Sequence, residues 1–407
     1  MQSITSKKQL HLFAIFFVLY ELDCYLSNDM IMPAMLQVIN QFHAPLSSVS
    51  LSLSLFVLGG GILPIFLGPL VDRIGKRRVM LVGNIGFLVA TLFIPFATSI
   101  NQFLAARFFQ GMGMCFIFIG YAMIHEYFND TEAVKLTSLL TNIAIFAPLI
   151  GPVVGSGITA ISRWEFVFIV SGVLGVISLT GLYKHMPESK ITQKTIDIRQ
   201  IIKTYKIIFT HKTFMFGILT NGIAILPIIA WIGLSPTIII NKMHGTYAQY
   251  IIYQSIMFGG FITSNILVQK ISGKVSFKNI IKYAGTISLL GVLFAALCHF
   301  NVILFIIGMC TYALGFGLCN GVIVRISIMS TGQSSSLSSS AFSVLNSIYL
   351  SGALEIYNKV CGWFDYSLAS YAIFTAIIGV ILYLCSLKFA KMNEHLEWRN
   401  NAQQQVQ

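Results

Sequence analysis

Apolar runs of about 20 residues follow one another along almost the whole chain, separated by short polar stretches. A run of that length, as a helix, spans the roughly 30 Å hydrocarbon core of a bilayer. Lipid offers no hydrogen bonds, so each run must satisfy its own backbone and hence be helical. Charged residues make up only 10% of the chain, against about 25% in an ordinary soluble domain. The expected fold is therefore an all-α integral membrane protein. Twelve transmembrane helices are read near 10–36, 48–71, 78–98, 101–127, 132–159, 163–184, 213–240, 247–270, 278–300, 301–328, 334–358 and 366–390.

The first run contains three acids, Glu21, Asp23 and Asp29. A charge at the bilayer centre costs roughly 2.5 to 3.5 kcal/mol or more, so intramembrane acids read as functional. At least one of the three is expected to carry a proton. Eight helical residues place Glu21 and Asp29 about 80° apart in azimuth and about 12 Å apart in height, on one broad side of the helix. Asp23 is about 200° from Glu21. Its expected role is a structural hydrogen bond to a neighbouring helix, with a second protonation site as the alternative.

Basic residues are retained on the cytoplasmic side of short loops. With the N-terminus inside, cytoplasmic segments take Lys7 and Lys8, the cluster Arg73, Lys76, Arg77 and Arg78, the long stretch from Lys184 to Lys212, the group Lys270 to Lys282, and the C-terminal Lys388, Lys391 and Arg399. The opposite side keeps Arg163, Lys242 and Lys359. Both termini are expected in the cytoplasm. The net charge of +12 then marks topology and an attraction to anionic lipid headgroups, not nucleic-acid binding.

The longest polar interruption divides six helices from six. The expected organisation is an N-terminal six-helix bundle over 1–184, a cytoplasmic linker over 185–212 with a possible amphipathic helix, a C-terminal six-helix bundle over 213–390 and a cytoplasmic tail over 391–407. Such parallel repeats suit transporters whose substrate site lies between the two halves. The seven cysteines show no C-x-x-C spacing, so neither a disulfide framework nor a metal site is expected. No phosphate loop, H-E-x-x-H or G-x-S-x-G occurs, so a cofactor, ATP and enzyme activity are not expected. Other charges at membrane level have local readings. Glu355 stands four residues before Lys359, the order of a helical ion pair; His125 beside Glu126 reads as a packed side chain; Arg325 reads as snorkelling to the interface.

Between the second and third runs stands Gly68-Pro69-Leu70-Val71-Asp72-Arg73-Ile74-Gly75-Lys76-Arg77-Arg78. Gly68 is expected to admit a close helix, Gly75 a tight turn, and Asp72 to cap a helix N-terminus or hold a basic partner. This stretch fits the G-x-L-x-D-R-x-G-R/K-R/K signature of the major facilitator superfamily. Arg107-Phe108-Phe109-Gln110-Gly111 resembles its R-x-x-Q-G motif, and Ala147-Pro148-Leu149-Ile150-Gly151-Pro152-Val153-Val154-Gly155 is similar to the Gly/Pro motif of its antiporters. Pro148 and Pro152 can bend that helix, and small residues there let helices pack closely. Leu19-Tyr20-Glu21, Asn28-Asp29-Met30-Ile31 with Pro33, Leu226-Pro227, Ala230-Trp231-Ile232, Ser235-Pro236 and the stretch from Tyr312 to Arg325 resemble the multidrug/proton antiporters of that superfamily.

The resemblance implies a proton-coupled secondary transporter that exports lipophilic drugs and other xenobiotics by alternating access. It implies a multi-pass protein of the bacterial inner membrane, acting as a monomer on small lipophilic molecules, protons and surrounding lipid. It also implies that Glu21 and Asp29 are the substrate- and proton-linked acids and Arg107 their basic counterpart. Tyr25, Asn28, Asp29, Ala144, Ile145, Ile228 and Ile229 are implied as the substrate-binding residues. Asp23 departs from the family pattern, which has a small uncharged residue there. A dedicated carrier for one metabolite or siderophore on the same scaffold is the alternative.

Overall fold

Proline and glycine decide where the long apolar runs break. The computed structural model describes residues 7–188, 198–271 and 274–393. The first run forms α1 (Lys7–Asp29), stops, and resumes as α2 (Met35–Gln41), so the helix expected over 10–36 is not continuous. Pro33 has no N–H and pushes the residue before it away from helical geometry. The backbone between the two helices accordingly makes tight i to i+3 bonds, Ala34 N to Ile31 O and Met35 N to Met32 O.

The second run divides into α3 (Ser47–Ile62) and α4 (Pro64–Ile74), bent by 42° at Leu63 before Pro64. After α5 (Lys76–Phe93) comes α6 (Ile100–Gly111), a 3-10 turn (Met112–Phe116) and α7 (Ile117–Tyr127). Next is α8 (Asp130–Ile161), which bends by 49° between Thr131–Ala144 and Phe146–Ile161. The bend falls where the ring of Pro148 would strike the carbonyl four residues earlier, that of Ala144. α9 (Glu165–His185) follows.

The remaining helices are α10 (Ile198–Thr210), α11 (Lys212–Ser235) continued by a π-helical turn (Pro236–Lys242), α12 (Tyr247–Ile271), α13 (Phe277–Leu297), α14 (Val302–Ser330), α15 (Ser335–Trp363) and α16 (Leu368–Met392). α10 falls within the stretch read as the linker. It buries Tyr205 and Ile208 and exposes Arg199, Ile202, Lys203, Lys206 and Ile207. Residues 189–197 of that linker, and the tail beyond 393, lie outside the described residues.

Among the described residues, nine helices are individually long and apolar enough to cross a membrane, and the two bent pairs bring the number to eleven. The twelfth expected span, 334–358, corresponds to α15, which has the length at 29 residues. It is less apolar because serines fill its N-terminal half and Glu355 and Lys359 its C-terminal half. Large apolar side chains such as Val82 and Val89 of α5 and Ile303 and Ile307 of α14 point outward, as lipid contact requires. The chain is a multi-pass helical membrane protein.

The helices gather into two compact units. One holds Met1–Ile198, Ile232–Tyr247 and Ser343–Asn358; the other holds Arg199–Trp231, Ala248–Phe342 and Lys359–Gln407. In the first, α1 is surrounded by α7, α8 and α9, and Phe13, Phe17, Tyr20 and Cys24 join a core with Phe87, Cys115, Ile117 and Met123. In the second, α13 packs on α14 and α16. Its Trp231 lies among Phe305 and Tyr371 with ring centroids 5.5 and 5.4 Å away. There Tyr312 and Tyr371 donate their hydroxyls to the carbonyls of Ala224 and Pro227, both at 2.6 Å. Pro227 has no N–H to offer the carbonyl of Ile223 one turn back, and the two tyrosines tie the neighbouring carbonyls of this turn to α14 and α16.

Candidate functional site

Arg107 of α6 is completely buried, and three other helices supply its surroundings. Its Nε donates to Ser52 Oγ of α3 at 3.2 Å, and its terminal nitrogens reach Ser27 O of α1 at 3.4 Å and Asn28 Oδ1 at 2.8 Å. Within α6 it also bonds Gln110 Oε1, one turn on. Gln110 then donates to Thr91 Oγ1 of α5 at 2.9 Å. This pairing is the physical content of the R-x-x-Q-G spacing, since residues three apart share a helix face. Phe56 lies under the guanidinium, 4.5 Å from its ring centroid, a cation–π contact.

No carboxylate lies within 4.0 Å of Arg107 among the described residues; an amide stands between it and Asp29. Asn28 accepts from Arg107 through Oδ1 and donates through Nδ2 to Asp29 Oδ1 at 3.1 Å. An amide can face a cation with one end and a carboxylate with the other. Asp29 is 4% exposed and is the last residue of α1.

Its closeness to α8 depends on two motif glycines. A Cβ on Gly151 would lie 2.4 Å from Asp29 Cβ, and one on Gly155 only 1.9 Å from Met30 O. The Gly/Pro motif therefore seats the end of α1, with Pro148 and Pro152 inside the same helix.

Glu21, 1% exposed, is linked to α7 and not to Arg107. Tyr121 donates to its Oε1 at 3.1 Å, while Oε2 has no hydrogen-bond partner among the described residues. Asp23 is also buried and accepts from Ser171 Oγ of α9 at 2.6 Å. Of the residues implied for substrate, Tyr25 and Ala144 are half-buried in the first unit and the side chain of Ile145 lies outside the described residues. Ile228 is buried and Ile229 half-buried beside Pro227, in the second unit.

The glycine-rich signature holds α4 to α5 through Gly75, whose φ of 90° and ψ of 148° suit glycine. Lys76 pairs with Glu126 of α7, and Arg77 pairs with Glu188 while donating to Tyr183 O at 2.6 Å. Two expectations for this signature do not hold. A Cβ on Gly68 would meet nothing within 4 Å, because that face of α4 is uncovered. Asp72 caps nothing, since Gly75 is the N-cap of α5 with no side-chain bond, and Asp72 and Arg73 are exposed without an ion pair among the described residues.

Other local readings also change. Glu355 turns from Lys359 to Ser54 of α3, which donates to Oε1, and to Asn358, which donates to Oε2 at 3.3 Å. His125 is exposed rather than packed, whereas Arg325 is exposed as expected of a snorkelling side chain. Sequence reasoning missed Tyr121, which carried no signal, and Ser52. The alternating serines Ser48, Ser50, Ser52 and Ser54 in an apolar run were the available sign of a polar partner.

Residues 22–354 match the family described as Major Facilitator Superfamily. The chain belongs to that superfamily. Among its relatives, the multidrug transporter MdfA of Yersinia pestis is 36% identical over 360 residues, covering 87% of this chain and 88% of the relative. The Escherichia coli protein of the same name is 34% identical over 381 residues, 92% of each chain. Superfamily architecture is seen in solved structures as well. A bacterial homologue of the human lysosomal transporter Spinster has a TM-score of 0.75 at 13% identity, covering 97% of this chain and 99% of that one. A D-xylose-proton symporter has a TM-score of 0.72 at 14% identity, covering 93% and 98%. At such identities the structural likeness concerns the fold alone.

Proposed function

We propose that this protein is a proton-coupled multidrug antiporter of the bacterial inner membrane, exporting lipophilic compounds by alternating access, and not an enzyme. Its six N-terminal and six C-terminal helices form the two moving halves, and both termini are cytoplasmic. Glu21 and Asp29 bind the proton and respond to substrate. Arg107 acts on Asp29 through Asn28. Tyr25, Asn28, Asp29, Ala144, Ile145, Ile228 and Ile229 line the substrate path, and the protein works as a monomer.

The buried Arg107–Asn28–Asp29 relay carries this reading. A rigid ion pair would hold Asp29 charged throughout a cycle, whereas a relay through an amide can be made and broken by small motions of α1. Gly151 and Gly155 seat the end of α1 against the bent helix α8, so a change in the bend at Ala144 reaches Asp29 directly. The multidrug transporters among the relatives support the substrate class. One proton moving inward per neutral solute moving outward draws about 2.3 kcal/mol from each 100 mV, enough for roughly a fifty-fold gradient.

Cells overproducing the protein should accumulate less of a lipophilic cationic or neutral dye. The double variant Glu21→Gln with Asp29→Asn should lose this protection at equal membrane abundance. Undiminished efflux by the double variant would refute the coupling roles, and transport of a single metabolite to the exclusion of all dyes would favour the dedicated carrier.

A further inference from the structure

Asp23 sits on the side of α1 away from Glu21, in surroundings short of hydrogen-bond donors. It is fully buried where α1 meets α9. Oδ1 accepts from Ser171, but Oδ2 has no partner among the described residues. A Cβ on Gly175, one turn further along α9, would lie 3.4 Å from Oδ2 and 3.0 Å from Leu88 Cδ1 of α5. The next polar residue on this stripe, Ser178, donates its hydroxyl to Gly175 O at 3.0 Å and accepts from Asn84 Nδ2 of α5 at 3.3 Å. Asn84 is itself fully buried, and among the described residues its Oδ1 also has no partner.

Two buried acceptor oxygens thus flank this part of α9, while the hydroxyls of Ser171 and Ser178 and one of the two N–H donors of Asn84 are already engaged. Among the described residues no basic side chain pairs with Asp23. The titratable neighbours of Asp23 on α1 are Tyr20 and Cys24, with Cys115 behind Tyr20. Tyr20 donates elsewhere, to Gly113 O at 2.7 Å. α5 presents Asn84 and Leu88, and α9 presents Ser171, Gly175 and Ser178, none of them charged.

A buried carboxylate needs a cation or several donors, and a single hydroxyl leaves most of its desolvation cost standing. A carboxylic acid brings one more donor of its own. We propose that Asp23 is a second proton-binding site of α1, separate from the Arg107–Asn28–Asp29 relay, its Oδ2 hydroxyl supplying the donor that the α1–α5–α9 contact lacks. The proton leaves when α1 shifts against α9 and returns when the contact closes. That release step rests on the transport reading above; the site itself does not.

The test uses infrared difference spectroscopy on the full-length protein in detergent at neutral pH. In a Glu21→Gln, Asp29→Asn background, the carbonyl stretch of a buried protonated carboxyl should persist. It should vanish when Asp23→Asn is added, a change that preserves the side-chain shape. Ser171→Ala should shift the band without removing it, which keeps the assignment testable should the triple variant fold poorly. Absence of the band in the double variant would overturn the site, including the case in which a turned-over Asn84 amide donates to an ionised Asp23. If the band is present but Asp23→Asn leaves the pH profile of dye efflux unchanged, the release step is overturned. Failure of the unaltered protein to export any dye would refute the transport reading and leave the spectroscopic result standing.

Discussion

Replacing Gly155 with alanine should separate α1 from α8, and the geometry sets the size of the effect. The added Cβ would lie 1.9 Å from Met30 O, 2.7 Å from Met30 C and 2.8 Å from Met30 Cα, where ordinary contact begins at 3.4 Å. The obstacle is backbone, which cannot rotate aside as a side chain would. One helix must retreat by about 1.5 Å locally, and overpacking of this kind costs about 1 to 3 kcal/mol. Gly157 provides the control two residues on, because a Cβ there meets nothing within 4 Å. Alanine is favoured over glycine inside a helix by about 1 kcal/mol, so Gly157→Ala should be neutral or stabilising. Reversible unfolding in mixed micelles would measure the two signs, and dye efflux would report whether Asp29 is displaced with Met30. Equal stability and equal efflux for the two variants would refute the claim that the motif glycine seats the end of α1.

Arg107→Lys should impair efflux nearly as much as Arg107→Met, because a point-like ammonium cannot reproduce bonds to Ser52, Ser27, Gln110 and Asn28 together; full transport by the lysine variant would contradict this. Asn28→Leu leaves Arg107 and Asp29 each short of a partner, at about 1 to 3 kcal/mol per unsatisfied buried group, so folded protein with strongly reduced proton release on substrate addition is expected. Tyr312→Phe and Tyr371→Phe should each destabilise the second unit by about 1 kcal/mol, read as lowered thermal stability of the purified protein; no change in either would mean that the carbonyls at the Pro227 turn do not depend on them.

Period and length made most of the fold legible. Lipid leaves a 20-residue apolar run no alternative to helix, so the positions of the helices follow from hydropathy alone. The bend in α8 was legible from Pro148, whereas the breaks at Pro33 and Pro64 fall inside runs read as single helices over 10–36 and 48–71. α15 is less apolar because of its serines and Glu355, yet Ser54 and Asn358 donate to Glu355 and Ser54 O accepts from Ser351 inside the protein. The acids were visible as costly charges in the first apolar run, and the helix angle separated Asp23 from Glu21.

Hydropathy and motif spacing are enough to read the helical membrane architecture, the superfamily motifs and the acids within the first apolar run. Which group answers each acid emerges from helix packing: α7 through Tyr121 for Glu21, α9 through Ser171 for Asp23, and Asn28 between Asp29 and Arg107. The reason is physical. Hydropathy and helical periodicity are properties of one segment, whereas hydrogen-bond partners for a buried acid come from segments distant in the chain, and no local pattern records which of them will face it.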